Sequence, residues 1–201
     1  MENIPANASL YFVLVNFGLE KTKQFLKSRP HYPINNVDKK CGQTALHGAV
    51  LRNDNGESLR FLLSCPEIDV NVFDVNRHTR EKMRTPLHDA CIRASNPSIP
   101  EILNIILQDK RFNVNILTRD NETCLWLACN NQNVFAVKAM ISFREASELN
   151  TKHSAMYGFS SYTVLEIAKL FSNEIYKLLM EFDEDPVKTK KKCRQELGLV
   201  D

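Results

Sequence analysis

The chain has 201 residues, the size of one domain, and its charge is nearly balanced: 26 lysines and arginines against 24 aspartates and glutamates, a formal net charge of +2. That balance gives no reason to expect a nucleic-acid binder or a disordered acidic tail, and 43% apolar with 25% charged residues is ordinary for a soluble globular protein. Only 6 glycines leave little material for Gly-rich phosphate loops or for a sandwich full of tight turns.

The six cysteines, Cys41, Cys65, Cys91, Cys124, Cys129 and Cys193, show no CxxC and no zinc-like pairing. They are expected to be free thiols in a reducing compartment, the cytoplasm, with the nucleus as the alternative. The longest apolar run, Leu10 to Val15, is far short of the roughly 20 residues a bilayer span needs, so no membrane insertion is expected. No Lys or Arg precedes Lys21, which argues against a signal peptide.

Taken in chain order, the elements repeat. Thr44-Ala45-Leu46-His47-Gly48-Ala49 opens a short helix, and Leu59 to Leu63 a second one. Thr85-Pro86-Leu87-His88-Asp89-Ala90 opens the next pair, and after a loop at Ser95-Asn96-Pro97-Ser98-Ile99 its partner helix is expected to start at Pro100. Thr123-Cys124-Leu125-Trp126-Leu127-Ala128 is followed by Val134 to Ile141, and Thr163-Val164-Leu165-Glu166-Ile167-Ala168 by Ile175 to Met180. The threonines are 41, 38 and 40 residues apart. An apolar residue followed by Asn keeps the same beat, at Ile34-Asn35, Val70-Asn71, Val114-Asn115 and Leu149-Asn150. A worn copy stands first: moved back 36 places, Leu46 falls on Leu10 and Phe61-Leu62 on Phe25-Leu26, with Ala8 where the threonine should be.

Each unit has a local logic. Threonine is a good N-cap, and Pro86 at the first helical position loses only an N–H that would be orphaned anyway. Leu and Ala three apart share one helix face, and the small Ala admits a neighbouring helix. No unit can bury its apolar face alone, so the units must stack, with Leu46, Leu87, Leu125 and Leu165 expected in one continuous core. Asp183-Glu184-Asp185-Pro186 starts a further helix over Val187 to Leu197, expected to cover the last unit through Val187 and Leu197.

The Thr85 to Ala90 segment resembles the ankyrin-repeat signature, and Gly42-Gln43-Thr44-Ala45-Leu46-His47 is a close second; the resemblance runs from about Ala8 to Phe182. It implies an all-α repeat solenoid: stacked helix-turn-helix units with β-hairpin-like fingers and, here, a C-terminal capping helix. The units are placed at 7–36, 37–72, 73–116, 117–151 and 152–182, and the capping helix at 183–198. The histidine of the signature gives way to Trp126 and Glu166 in the last two units, and the fingers before Thr85 and Thr163 are about five residues longer than the others.

For chemistry, His47 and His88 are read as the family's structural histidines bonding finger backbone, although Asp89 beside His88 has the look of half a catalytic pair. The five histidines form no i, i+4 pair, so no metal and no cofactor is expected. Within 183–201 five basic residues meet five acidic ones, which reads as a solvated helix face. Trp126 either packs between fingers or shows as a binding anchor. The resemblance therefore implies a non-catalytic interaction module, a monomeric adaptor or scaffold holding a protein partner on its concave face. The alternative is a regulatory or localising domain docked through its terminal repeat within a larger assembly. The binding residues are expected at Lys40, Gln43, Leu51, Arg52, Arg77, Arg80, Lys82, Arg84, Ile92, Arg93, Arg119, Glu122, Trp126, Asn130, Asn131 and Tyr162. Arg77, His78, Arg80, Lys82 and Arg84 make the third finger a basic lip suited to an acidic or phosphorylated segment.

Overall fold

Threonine side chains start the helices where the sequence places them. The hydroxyls of Thr85, Thr123 and Thr163 accept the backbone N–H three residues on, and each threonine has the extended backbone of an N-cap. The computed structural model describes residues 4–52, 54–75 and 83–199. Among them the helices run α1 (Leu10–Lys27), α2 (Ala45–Leu51), α3 (Glu57–Leu63), α4 (Pro86–Cys91), α5 (Ile99–Gln108), α6 (Cys124–Asn130), α7 (Val134–Phe143), α8 (Val164–Phe171), α9 (Asn173–Glu184) and α10 (Pro186–Glu196). The result is a helical repeat fold.

The worn first unit is better formed than expected. Ser9, not Ala8, caps α1, its hydroxyl accepting from the Phe12 N–H. At Gly18 the backbone takes φ +80°, which breaks α1 into two helices joined end to end, as in the later pairs. α5 starts one residue before Pro100, with Ser98 at the cap position.

The helices lie in two rows. α2 packs on α4, α4 on α6 and α6 on α8, while α3 packs on α5, α5 on α7 and α7 on α9. Leu46, Leu87 and Leu125 are buried in the first row, but Leu165 is only half-buried, because no later first-row helix lies beside α8. α10 lies against both α7 and α9. Its seat is Thr189 and Cys193, one turn apart, with Leu197 a turn further on against the core. Val187 points the other way and is 81% exposed, so the expected contact through it is wrong. Nor is the helix's charged surface simply solvated. Lys190 Nζ donates to the Arg144 carbonyl at 3.1 Å, Lys192 pairs with Glu181 at 2.7 Å, and Glu196 with Lys138 at 2.9 Å. The Glu196 and Glu174 carboxylates beside it raise the pKa of the Lys138 ammonium.

The apolar-Asn marker is a ladder of side-chain amides. Asn35 donates to the Glu67 carbonyl at 2.8 Å and accepts from the Asp69 N–H. Asn71 repeats this with Arg111 and Asn113, and Asn115 donates to Glu148 at 2.7 Å. Each amide satisfies backbone groups in the next loop along, where no helix or sheet can do so. Asn150, the last, accepts locally from the Lys152 N–H.

Of the fingers, the fifth is a regular hairpin: β1 (Ser154–Tyr157) pairs antiparallel with β2 (Ser160–Thr163), with Ser154 opposite Thr163 and Tyr157 opposite Ser160. Gly158, at φ +63°, turns the tip. The second and fourth are turns without assigned strands, closed by Asp38 N–H to Gln43 O and Thr118 N–H to Glu122 O. The flanks of the third are joined by Asp74 N–H to Arg84 O at 2.8 Å.

Candidate interaction face

One position in each first-row helix governs how it meets the next finger. In α2 and α4 it is a histidine. His47 Nδ1 faces the Thr44 hydroxyl at 2.9 Å, while Nε2 reaches the carbonyl of Arg84 at 3.0 Å. His88 does the same with Thr85 and with the carbonyl of Ile116, at 2.9 and 3.0 Å. A carbonyl only accepts, so Nε2 carries the proton and Nδ1 is the acceptor toward the cap. Burial holds the His88 pKa down to about 4, so the ring is neutral. This is the structural role expected of both histidines.

The same position in α6 is Trp126, fully buried, whose indole Nε1 donates to the carbonyl of Tyr162 at 3.0 Å. It packs between the fourth and fifth fingers and has no surface to offer as an anchor. In α8 the position is Glu166, whose carboxylate accepts from the N–H and hydroxyl of its own Thr163. The 36-residue shift places Tyr11 on His47. Tyr11 indeed lies beside the Cys41 thiol of the second finger, and burial, then the thiol and nearby carboxylates, push its pKa to about 12. Its ring lies over Gly48, where a Cβ would come within 3.0 Å of it.

The face lined by the fingers and the first-row helices is thereby fixed in shape. Lys40, Arg93 and Arg119 are exposed on it, and Gln43, Leu51, Ile92, Asn130, Asn131 and Tyr162 are half-buried. Several expected binding residues are spent inside the structure instead. Glu122 is buried and accepts from the Thr118 hydroxyl at 3.0 Å. The Arg52 guanidinium donates to the carbonyls of Leu14 and Val15, ending the first half of α1, and also pairs with Asp54. Both carbonyls lie within the turn before the Gly18 kink, so the Arg52 cation there ties α1 to the end of α2 and is structural. Arg84 is half-buried between its neighbours, its carbonyl used by His47. Arg77, His78, Arg80 and Lys82 lie outside the described residues.

Asp89 was singled out in the sequence only for its place beside His88, and the exposed residues of the fifth finger were not singled out at all. Asp89, on α4 beside His88, is buried and accepts from the Gln43 amide at 3.3 Å; burial raises its pKa. At the fifth finger Met156, Tyr157 and Phe159 stand out into solvent. A sequence signal existed in the apolar residues either side of Gly158, within a hairpin that was legible only as extra length before Thr163.

The geometry and an independent comparison converge. The family model of the ankyrin repeat matches residues 41–75, the stretch that holds α2, α3 and the Asn71 marker. The chain carries an ankyrin repeat. No curated protein matches the chain. Ankyrin repeats are generally protein–protein interaction modules, and the family is typically non-catalytic. Among the described residues no helix is long and apolar enough to cross a membrane.

Proposed function

We propose that this ankyrin-repeat protein is a non-catalytic adaptor or scaffold, a solenoid of five units closed by α10, that holds a segment of another protein against the face lined by its fingers and first-row helices. The observation that carries this reading is the set of ties from the position of His47, His88 and Trp126 to the finger that follows. They fix a row of fingers relative to a row of helices while Lys40, Ile92, Arg93, Arg119, Asn130 and Asn131 stay reachable. Pre-set geometry lowers the ordering cost of binding. The exposed Lys39, Lys40, Arg93 and Arg119 favour an acidic or phosphorylated stretch on the middle of the partner segment, with Arg77, Arg80 and Lys82 as the lip. Six cysteines without a disulfide suit the reducing cytoplasm.

Site-specific photo-crosslinking in native cell extract tests the reading. A photoreactive residue at Ile92 or Asn131 is expected to capture a discrete partner, and one at Met180, exposed on α9, is not. Equal capture from both positions, or from neither, refutes it.

A further inference from the structure

An open cavity of about 400 Å³ lies where the segment leading into α1 faces the second finger. Lys39 and Lys40 line it from the finger, Tyr32 and Asn36 from the loop before it, and Phe12 and Ala8 give it an apolar wall. Both lysines are exposed, and neither ammonium has a partner among the described residues.

The single carboxylate among the described lining residues, Asp38, is already engaged. It is buried; one oxygen accepts from the Ser9 hydroxyl and the other from the N–H groups of Lys40 and Cys41, at 2.8 and 3.1 Å. Burial opposes its ionisation, but the donors outweigh burial and hold its pKa below the ordinary carboxylate value. Asp38 thus shapes the turn that carries the two lysines and does not pair with their ammoniums. Two free cations against one hydrogen-bonded carboxylate leave the lining net positive.

Two neutral donors stand beside them. Tyr32 is fixed by an edge-on contact with Phe25 at 5.0 Å, and its hydroxyl accepts from the Leu10 N–H at 3.1 Å. That bond uses an oxygen lone pair and leaves the phenolic proton to donate. The side-chain amide of exposed Asn36 has no partner among the described residues.

We propose that this cavity binds a phosphorylated side chain of the partner protein. The site deepens the reading of the face as a protein-binding surface and rests on it. A phosphate monoester brings a charge of about −1.5 to −2 and three acceptor oxygens, a match for two ammoniums and two neutral donors. A carboxylate brings a single charge and leaves donors unused. Lysine grips phosphate as a point charge, so the contact weakens as salt is added. The carbon stem of the phosphorylated residue lies against Phe12 and Ala8.

Synthetic peptide libraries bound to the full chain test this. The central residue is fixed as phosphoserine or phosphotyrosine, as the same residue unphosphorylated, or as glutamate. A phosphorylated library is expected to be retained at low salt and released by phosphatase. Affinity for a retained peptide is expected to fall about tenfold or more when Lys39 and Lys40 are both replaced by Ser, each loss removing a charge-assisted bond. It is expected to stay unchanged on Lys177→Ser, an exposed lysine of α9. An unchanged melting temperature shows that the variants fold. Equal retention of the unphosphorylated or glutamate libraries, no retained library at all, or indifference to the double substitution would overturn the assignment. So would equally tight, lysine-dependent binding to vesicles of anionic phospholipid. The wider reading of the face fails separately, through the crosslinking pattern at Ile92, Asn131 and Met180.

Discussion

α4 and α6 are successive first-row helices with the same threonine cap, yet they meet the next finger differently. His88 serves two functions at once: Nδ1 accepts at the Thr85 cap, and Nε2 donates outward to Ile116. Trp126 keeps only the outward one, because an indole has a donor and no acceptor. Glu166 in α8 keeps only the inward one, having acceptors and no donor. The two halves of the histidine's work are thus divided between the last two first-row helices. Among the described residues no further finger lies beyond α8 for Glu166 to reach. The comparison shows that the signature histidine is a two-ended connector rather than a residue needed for its own chemistry.

The largest way to disturb this comparison is through the core beneath it. Leu87→Ala, in fully packed surroundings, is expected to cost roughly 2–5 kcal/mol, and Leu165→Ala clearly less, since α8 has one side uncovered. Denaturant unfolding of the two variants measures the difference; equal losses would mean that the first row continues past α8.

Acid separates His88 from Trp126 next. The folded chain holds His88 neutral down to about pH 4, whereas the unfolded chain protonates it near its ordinary value of 6.5. Above that value the neutral ring contributes fully. As pH falls through the window the unfolded state binds the extra proton, and stability falls by up to about 3 kcal/mol. Hydrogen exchange is expected to quicken around Ile116 between pH 6.5 and 4 while the finger at Tyr162 stays protected. Simultaneous loss in both would break the distinction between the two connectors.

A smaller effect follows from cutting Trp126 alone. Trp126→Phe preserves most of the ring but removes the donor to the part-buried Tyr162 carbonyl, at about 1 kcal/mol for the lost bond plus the lost volume. Trp126→His is expected to recover part of that loss and to make the fifth finger acid-sensitive as well, readable as a new titration in the melting temperature. The smallest effect is at the end of the series. Glu166 is exposed, and its carboxylate is held below its usual pKa range by the Thr163 N–H and hydroxyl. Glu166→Gln, which retains an acceptor, is expected to leave the melting temperature nearly unchanged.

Much of this was legible in the residues. Thr44, Thr85, Thr123 and Thr163 located four helix starts because a cap is a local interaction, complete within three residues. The Asn35, Asn71 and Asn115 markers kept the beat because each performs the same bond to the next loop. What was not legible depends on contacts between distant segments. Ser9 replaces Ala8 because the broken α1 begins one residue later. Val187 is apolar but sits two places from Thr189, on the far side of α10. Arg52 reads as a surface cation until the carbonyls of Leu14 and Val15, 38 and 37 positions earlier in the chain, are there for it to donate to. Trp126 reads as a candidate anchor until the Tyr162 carbonyl, 36 positions on, is there to take its indole N–H, which no local pattern announces.

The asparagine ladder and the finger ties share one property: they point forward. Asn35, His47, Asn71, His88, Asn115 and Trp126 each donate to a carbonyl later in the chain. The helix pairs are therefore not equivalent as neighbours. Removal of an early pair strips donors from carbonyls that remain in place behind it, whereas removal of a late pair leaves only amides and rings that water can satisfy. On the ribosome the order of emergence matches this polarity. Each of these loops leaves the exit tunnel after the residue that will donate to it.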